Sequence, residues 1–125
     1  MNDLERDELK RRVRVLLEDR VGPDECINMY QLYHAATGRQ IIPLRRVDQT
    51  RQIRTVIAEL QEDGLAIVHK AGNEGGYYIA ADKADIEREA AWFRKRAMAA
   101  LRREKVLRRI STEELLRQLR IEFDM

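Results

Sequence analysis

The chain has 125 residues, enough for one domain with an appendage and too few for two full domains. Its hydrophobic content of 44% supports one small core. Charged residues at 37% exceed the roughly 25% of an average domain, which points to helices with long solvated faces and, given periodic apolar residues, away from disorder. One cysteine, Cys26, excludes an internal disulfide framework and any site built from several thiolates.

No apolar run approaches the roughly 20 residues needed to span a bilayer. The start, M-N-D-L-E-R-D, is acidic and lacks the apolar stretch of a signal peptide, so a cytoplasmic protein with no membrane partner is expected. The net charge of +2 hides an uneven distribution. Between Arg94 and Arg109 eight basic residues face the single acid Glu104, whereas acids slightly outnumber bases before Cys26. Such a segment favours a polyanionic partner more than the total suggests.

In chain order, residues Leu4 to Arg20 form a first helix with Leu9, Val13, Leu16 and Leu17 as its apolar stripe, ended by Val21-Gly22-Pro23. Asp24 to Ile27 supplies a single short extended strand. Asn28 to Thr37 is a second helix in which Met29, Leu32, Tyr33 and Ala36 recur at i, i+3, i+4, i+7. Asn28 is its N-cap, Gln31 completes a capping box, and Gly38 closes it. The connection Arg39 to Arg46 contains Pro43 and exceeds the three- or four-residue turn of a minimal helix-turn-helix.

Ile53, Val56, Ile57 and Leu60 then mark a third amphipathic helix, with Asp48 in front as N-cap and Gly64 after Asp63 as its stop. The period changes to that of strands for Leu65 to Lys70 and Tyr77 to Ala80, separated by the glycine-rich turn Ala71 to Gly76. A helix followed by a β-hairpin is the order of a recognition helix and its wing.

A fourth helix starts at Asp82 and persists to about Leu107 and Ile110. Its stripe of Ile86, Ala90, Phe93, Ala97 and Leu101, too long for so small a body to cover, is the expected interface of a homodimer. Ser111-Thr112-Glu113-Glu114 reads as a capping box opening a short last helix with Leu115, Leu116 and Leu119. The tail Ile121 to Met125 keeps two bulky apolar residues.

With its apolar side inward, the third helix leaves Arg51, Arg54 and Thr55 outward and Gln49 and Thr50 in its first turn. Arginine can grip guanine O6 and N7, and glutamine adenine N6 and N7, with two hydrogen bonds each. The N–H groups of a helix start favour phosphate. Lys70 and Asn73 at the hairpin suit a backbone phosphate or the minor groove, with Glu74 opposing them. Arg94, Lys95, Arg102 and Arg103 suit non-specific phosphate contact, against the alternative of a merely solvated face. Trp92 and Phe93 read as core or dimer contacts before base-stacking groups.

Other chemistry is poorly supported. The glycine-rich turn lies between strands and lacks the lysine and hydroxyl of a phosphate loop. His34 and His69 have no partners at metal-ligand spacing, and Cys26 reads as a small hydrophobe. No enzyme activity, cofactor, metal or small-molecule ligand is expected.

The pattern T-R-Q-I-R-T-V-I-A-E-L-Q-E-D-G followed by I-V-H-K-x-x-x-x-G-G-Y-Y-I resembles bacterial winged helix-turn-helix domains. It is similar in particular to small phage and prophage proteins that follow the wing with a long basic helix. The resemblance implies a mainly α (α+β) fold: a winged helix-turn-helix domain over residues 1–82 with a two- or three-stranded wing sheet. A helical extension over 83–125, a long helix and then a short last one, follows it. It further implies double-stranded DNA as partner, with Gln49, Thr50, Arg51, Arg54 and Thr55 at the major groove and Lys70 and Asn73 in the wing. Arg45 and Arg46 would be phosphate clamps. The expected role is a phage or prophage regulator or an accessory factor in phage DNA metabolism. The rival is a protein–protein adaptor on the same scaffold, kept alive by near-neutral charge and by Glu59, Glu62 and Asp63 on the third helix.

Overall fold

The computed structural model describes residues 2–42 and 49–123, apart from the side chains of 111, 112, 115 and 119–123. Among the described residues the chain is mainly helical with one small antiparallel sheet. Helices α1 (Asp3–Glu18), α2 (Met29–Thr37) and α3 (Arg51–Glu62) precede strands β1 (Ile67–Lys70) and β2 (Gly76–Ile79), and α4 (Lys83–Phe123) follows them. Two compact units are present, Met1–Glu89 and Ala90–Met125.

In the first unit, Asn2 caps α1 by accepting the Glu5 N–H at 2.8 Å, and Leu9, Val13 and Leu17 form its buried stripe. Arg20 then ties the helix end to the next turn, donating Nε to the Leu16 carbonyl and Nη1 to that of Glu25. The expected strand at Asp24 to Ile27 is a correction: Pro23–Glu25 is a 3-10 turn, its proline preset for the first helical position. Only Ile27 is strand-like. It bridges Tyr77 on the free edge of β2, and Val21 bridges Ile79.

The second helix matches its local signals. Asn28 Oδ1 accepts the Gln31 N–H at 2.9 Å, Gln31 Oε1 accepts the Asn28 N–H at 3.2 Å, and Gly38 closes the helix. The first four N–H groups at a helix start have no partner within the helix and need side chains or water, so such reciprocal caps set the helix boundary firmly.

Ile53, Val56, Ile57 and Leu60 of α3 are all buried against α1, α2 and the sheet. Burying a side chain of this size contributes about 1.5–3 kcal/mol, so this face anchors α3 and leaves its other side to solvent. Gly64, at φ +102°, turns the chain off the helix in a conformation that L side chains rarely adopt. The hairpin pairs Ile67 with Ile79 through Lys70 with Gly76. Gly76 is required by packing, because a Cβ there would lie 2.3 Å from the Ile27 carbonyl oxygen.

Asp82 opens α4 by accepting the Asp85 N–H at 3.0 Å. Asp85 is itself buried. It accepts from the Ala81 N–H at 2.9 Å, from the Tyr78 hydroxyl at 3.3 Å and from Arg88 Nη1 at 3.0 Å. This network ties the hairpin to the first turn of the helix.

The expected break at Ser111, with a short last helix after it, is also corrected: α4 runs without interruption from Lys83 to Phe123. No glycine or proline occurs in that span, and the Arg109–Glu113 pair at 3.3 Å spans the supposed boundary at helical i, i+4 spacing. A capping sequence can start a helix but does not stop one already in progress. No helix among the described residues is long and apolar enough to cross a membrane.

Candidate nucleic-acid interface

The outer side of α3 is the best-defined candidate surface in the first unit. Arg51, Gln52, Arg54 and Thr55 are exposed, while Ile53 between them and Val56 after them are buried. Arg54 Nη1 donates to Thr50 Oγ1 at 3.0 Å, and the Thr55 hydroxyl donates to the Arg51 carbonyl at 3.0 Å. Both contacts are one helical turn long and hold these side chains along the helix surface. Thr50 is the N-cap position without a side-chain cap bond.

Gln49 lies elsewhere in function. Its carboxamide accepts the Ile42 N–H at 2.9 Å and donates to the Ile42 carbonyl at 2.8 Å. Both ends are engaged in closing the connection before α3, so the group expected to read adenine is occupied by backbone. Arg45, Arg46 and the expected N-cap Asp48 lie outside the described residues.

Two acids towards the end of α3, Glu59 and Asp63, have partners on α1. Glu59 is ion-paired with Arg6, with Lys10 also 3.9 Å away, and Asp63 is 2.7 Å from Lys10 Nζ. Glu59 and Asp63 are thereby met by cations, while the arginines at the start of α3 are exposed. Arg6 and Arg51 flank the same depression of about 310 Å³, floored by Val56 and edged by Gln52 and Thr55.

On the hairpin, Lys70 and Asn73 are both exposed, Lys70 at the end of β1 and Asn73 in the turn. Cys26 Sγ donates to the Glu74 carbonyl at 3.5 Å, fixing the turn against the segment before α2. Tyr77, which the strand pattern left without a role, sits half-buried on β2. Its phenol is pushed up by burial, pulled back by the Arg54 guanidinium, and raised further by the Glu89 carboxylate. Strand alternation carried the signal, since Tyr78 is buried and its neighbour must point the other way. Burial and then the Asp85 carboxylate likewise raise the Tyr78 phenol.

On α4, Ile86 in the first unit is exposed. In the second unit Ala90, Phe93, Ala97 and Leu101 are exposed, as are Arg94, Lys95, Arg102 and Arg103. Trp92 and Phe93 are 39% and 47% exposed, so neither is a core residue, contrary to one expectation. Their rings meet edge to face at 5.0 Å, and the Arg96 guanidinium lies 4.6 Å from the indole centroid.

His34 is exposed, and His69 pairs with Glu89. Among the described residues no three His, Cys, Asp or Glu side chains gather as a metal ion would require. The chain matches no protein-family model, no curated protein and no solved structure.

Proposed function

We propose that the chain is a winged helix-turn-helix protein that binds double-stranded DNA, with α3 entering the major groove and the β1–β2 hairpin acting as the wing. Three features support the fold reading. The element order is α1, a strand-like bridge at Ile27, α2, α3 and the hairpin. The apolar face of α3 is fully buried. The hairpin follows α3 directly. On this reading the protein serves as a phage or prophage regulator or as an accessory factor in phage DNA metabolism.

The observation that carries the proposal is the division of charge along α3. Glu59 and Asp63 are paired with Arg6 and Lys10 of α1, whereas Arg51 and Arg54 are exposed at the other end beside Thr55. A phosphate backbone approaching that end meets cations and the positive end of the helix dipole. The same pairing weakens the adaptor reading, because two of the three acids that favoured it are already matched within the chain.

The test is selection of bound fragments from random duplex DNA, followed by anisotropy titrations of the recovered site. Arg51→Ala and Arg54→Ala should each weaken that site by about 1–3 kcal/mol where the side chain grips a base. Lys70→Ala should weaken all sequences alike and reduce the salt dependence. Recovery of no enriched sequence, or wild-type affinity in both arginine variants with unchanged circular dichroism, removes α3 as the reader.

A further inference from the structure

We infer that α4 carries a second nucleic-acid site, separate from α3, that takes an unpaired DNA strand by stacking its bases against Trp92 and Phe93. Three observations in the Ala90–Met125 unit converge on it.

The first is charge. Eight bases stand against one acid from Arg94 to Arg109, which attracts phosphates and makes the approach of a second copy of the same segment repulsive. The second is the exposed aromatic pair. Trp92 and Phe93 keep 39% and 47% of their surface in contact with solvent, with their ring planes 78° apart. Arg96 is already stacked over the indole at 4.6 Å, and a guanidinium plane is itself a surface on which bases stack.

The third is what the segment lacks. From Ala90 to Ile110 every side chain is apolar or cationic except Glu104, with no serine, threonine, asparagine or glutamine. Recognition must therefore rest on charge and stacking, the two sequence-tolerant terms of single-strand binding. No hydroxyl or amide is present to read a ribose 2′-OH, so nothing in the segment selects RNA; the strand is taken as DNA because the inference rests on the DNA reading of α3. A paired duplex hides its base faces and can use only the charge.

Trp92 is the only tryptophan, so its fluorescence reports the contact directly in the full-length protein. Titration with dT20 should quench it saturably, while a duplex of equal length and heparin, which share the charge without accessible base faces, should leave it unchanged. With fluorescein-labelled dT20, Trp92→Ala should bind about tenfold more weakly, and Trp92→Phe should recover most of the loss. The double variant Arg51→Ala/Arg54→Ala should keep wild-type affinity for dT20, which separates this site from the fate of the α3 reading. Four results overturn the proposal: quenching by heparin equal to that by dT20; wild-type dT20 affinity in Trp92→Ala; tighter binding of rU20 than dT20; or dimers in sedimentation of the free protein whose formation alone shifts Trp92 emission.

Discussion

The backbone N–H and the Nδ1 of His69 both reach one carboxylate oxygen of Glu89, at 3.1 and 2.7 Å. With Asp85 one turn earlier, Glu89 gives α4 two acids at i, i+4 spacing that hold the hairpin from the same helix side. Glu89 is only 12% exposed, so its removal takes a partly buried acceptor from two donors of His69. Glu89→Ala should cost about 1–3 kcal/mol, and Glu89→Gln, which keeps one acceptor oxygen, should cost less. Urea denaturation orders the two; equal midpoints in wild type and Glu89→Ala would show that the hairpin does not depend on this contact.

Asp85 should contribute to the acid side of the stability profile. The Ala81 N–H bond chiefly holds its carboxyl below the ordinary 3.8, against the opposing effect of burial, with Arg88 and Tyr78 adding to the lowering. A carboxylate whose pKa is depressed by folding contributes stability above its ordinary value and loses it as pH falls through the lower folded value. Wild-type urea midpoints should therefore decline from about pH 4 downward, and Asp85→Asn should flatten that decline. Parallel profiles would assign the acid sensitivity to other carboxylates.

Gly76 and Gly72 separate two reasons for a glycine. A Cβ at Gly76 would fall 2.3 and 2.4 Å from the oxygen and carbon of the Ile27 carbonyl, which belong to backbone that cannot yield cheaply. At Gly72 the space is open, and only a φ of +102° resists a side chain. Gly76→Ala should cost about 1–3 kcal/mol by overpacking, and Gly72→Ala about 1 kcal/mol. Amide exchange at Tyr77, whose N–H donates to Ile27 at 2.8 Å, should accelerate in the first variant only.

The continuity of α4 is tested by a proline at Thr112. If a new helix began at Ser111, Thr112 would be its first residue, where proline is well tolerated. Within one unbroken helix the same change costs about 3 kcal/mol and interrupts the hydrogen-bond ladder. Thr112→Pro should therefore lower far-ultraviolet helicity clearly, with Thr112→Ala as the neutral comparison. Unchanged helicity would restore the two-helix arrangement.

What could be read from the chain alone divides by distance along it. Asn28, Gln31 and Gly38 bound α2 through contacts three or four residues apart, and the Ile53–Leu60 stripe located the buried side of α3, because both depend on local periodicity. Ser111 misled for the same reason: its motif describes a possible helix start, and only the absence of a preceding stop decides whether one occurs. The candidate surface was legible in its exposed arginines but not in its setting. Gln49 closing on Ile42 and Arg6 meeting Glu59 both join segments that only tertiary structure brings together. Trp92 and Phe93 read as core or dimer contacts because they are large and apolar, yet they are 39% and 47% exposed.

The pairing of Arg6 and Lys10 with the acids of α3 makes the polarity of that helix a loan from its neighbour. Added electrolyte weakens these partly exposed pairs at the same time as it shields phosphate. Carboxylates would then be unmasked in the very experiment used to count ionic contacts, and the measured slope would overstate their number. Charge-swapped partners, Arg6→Glu with Glu59→Arg, offer an internal calibration, since they keep the clamp while inverting who holds which sign.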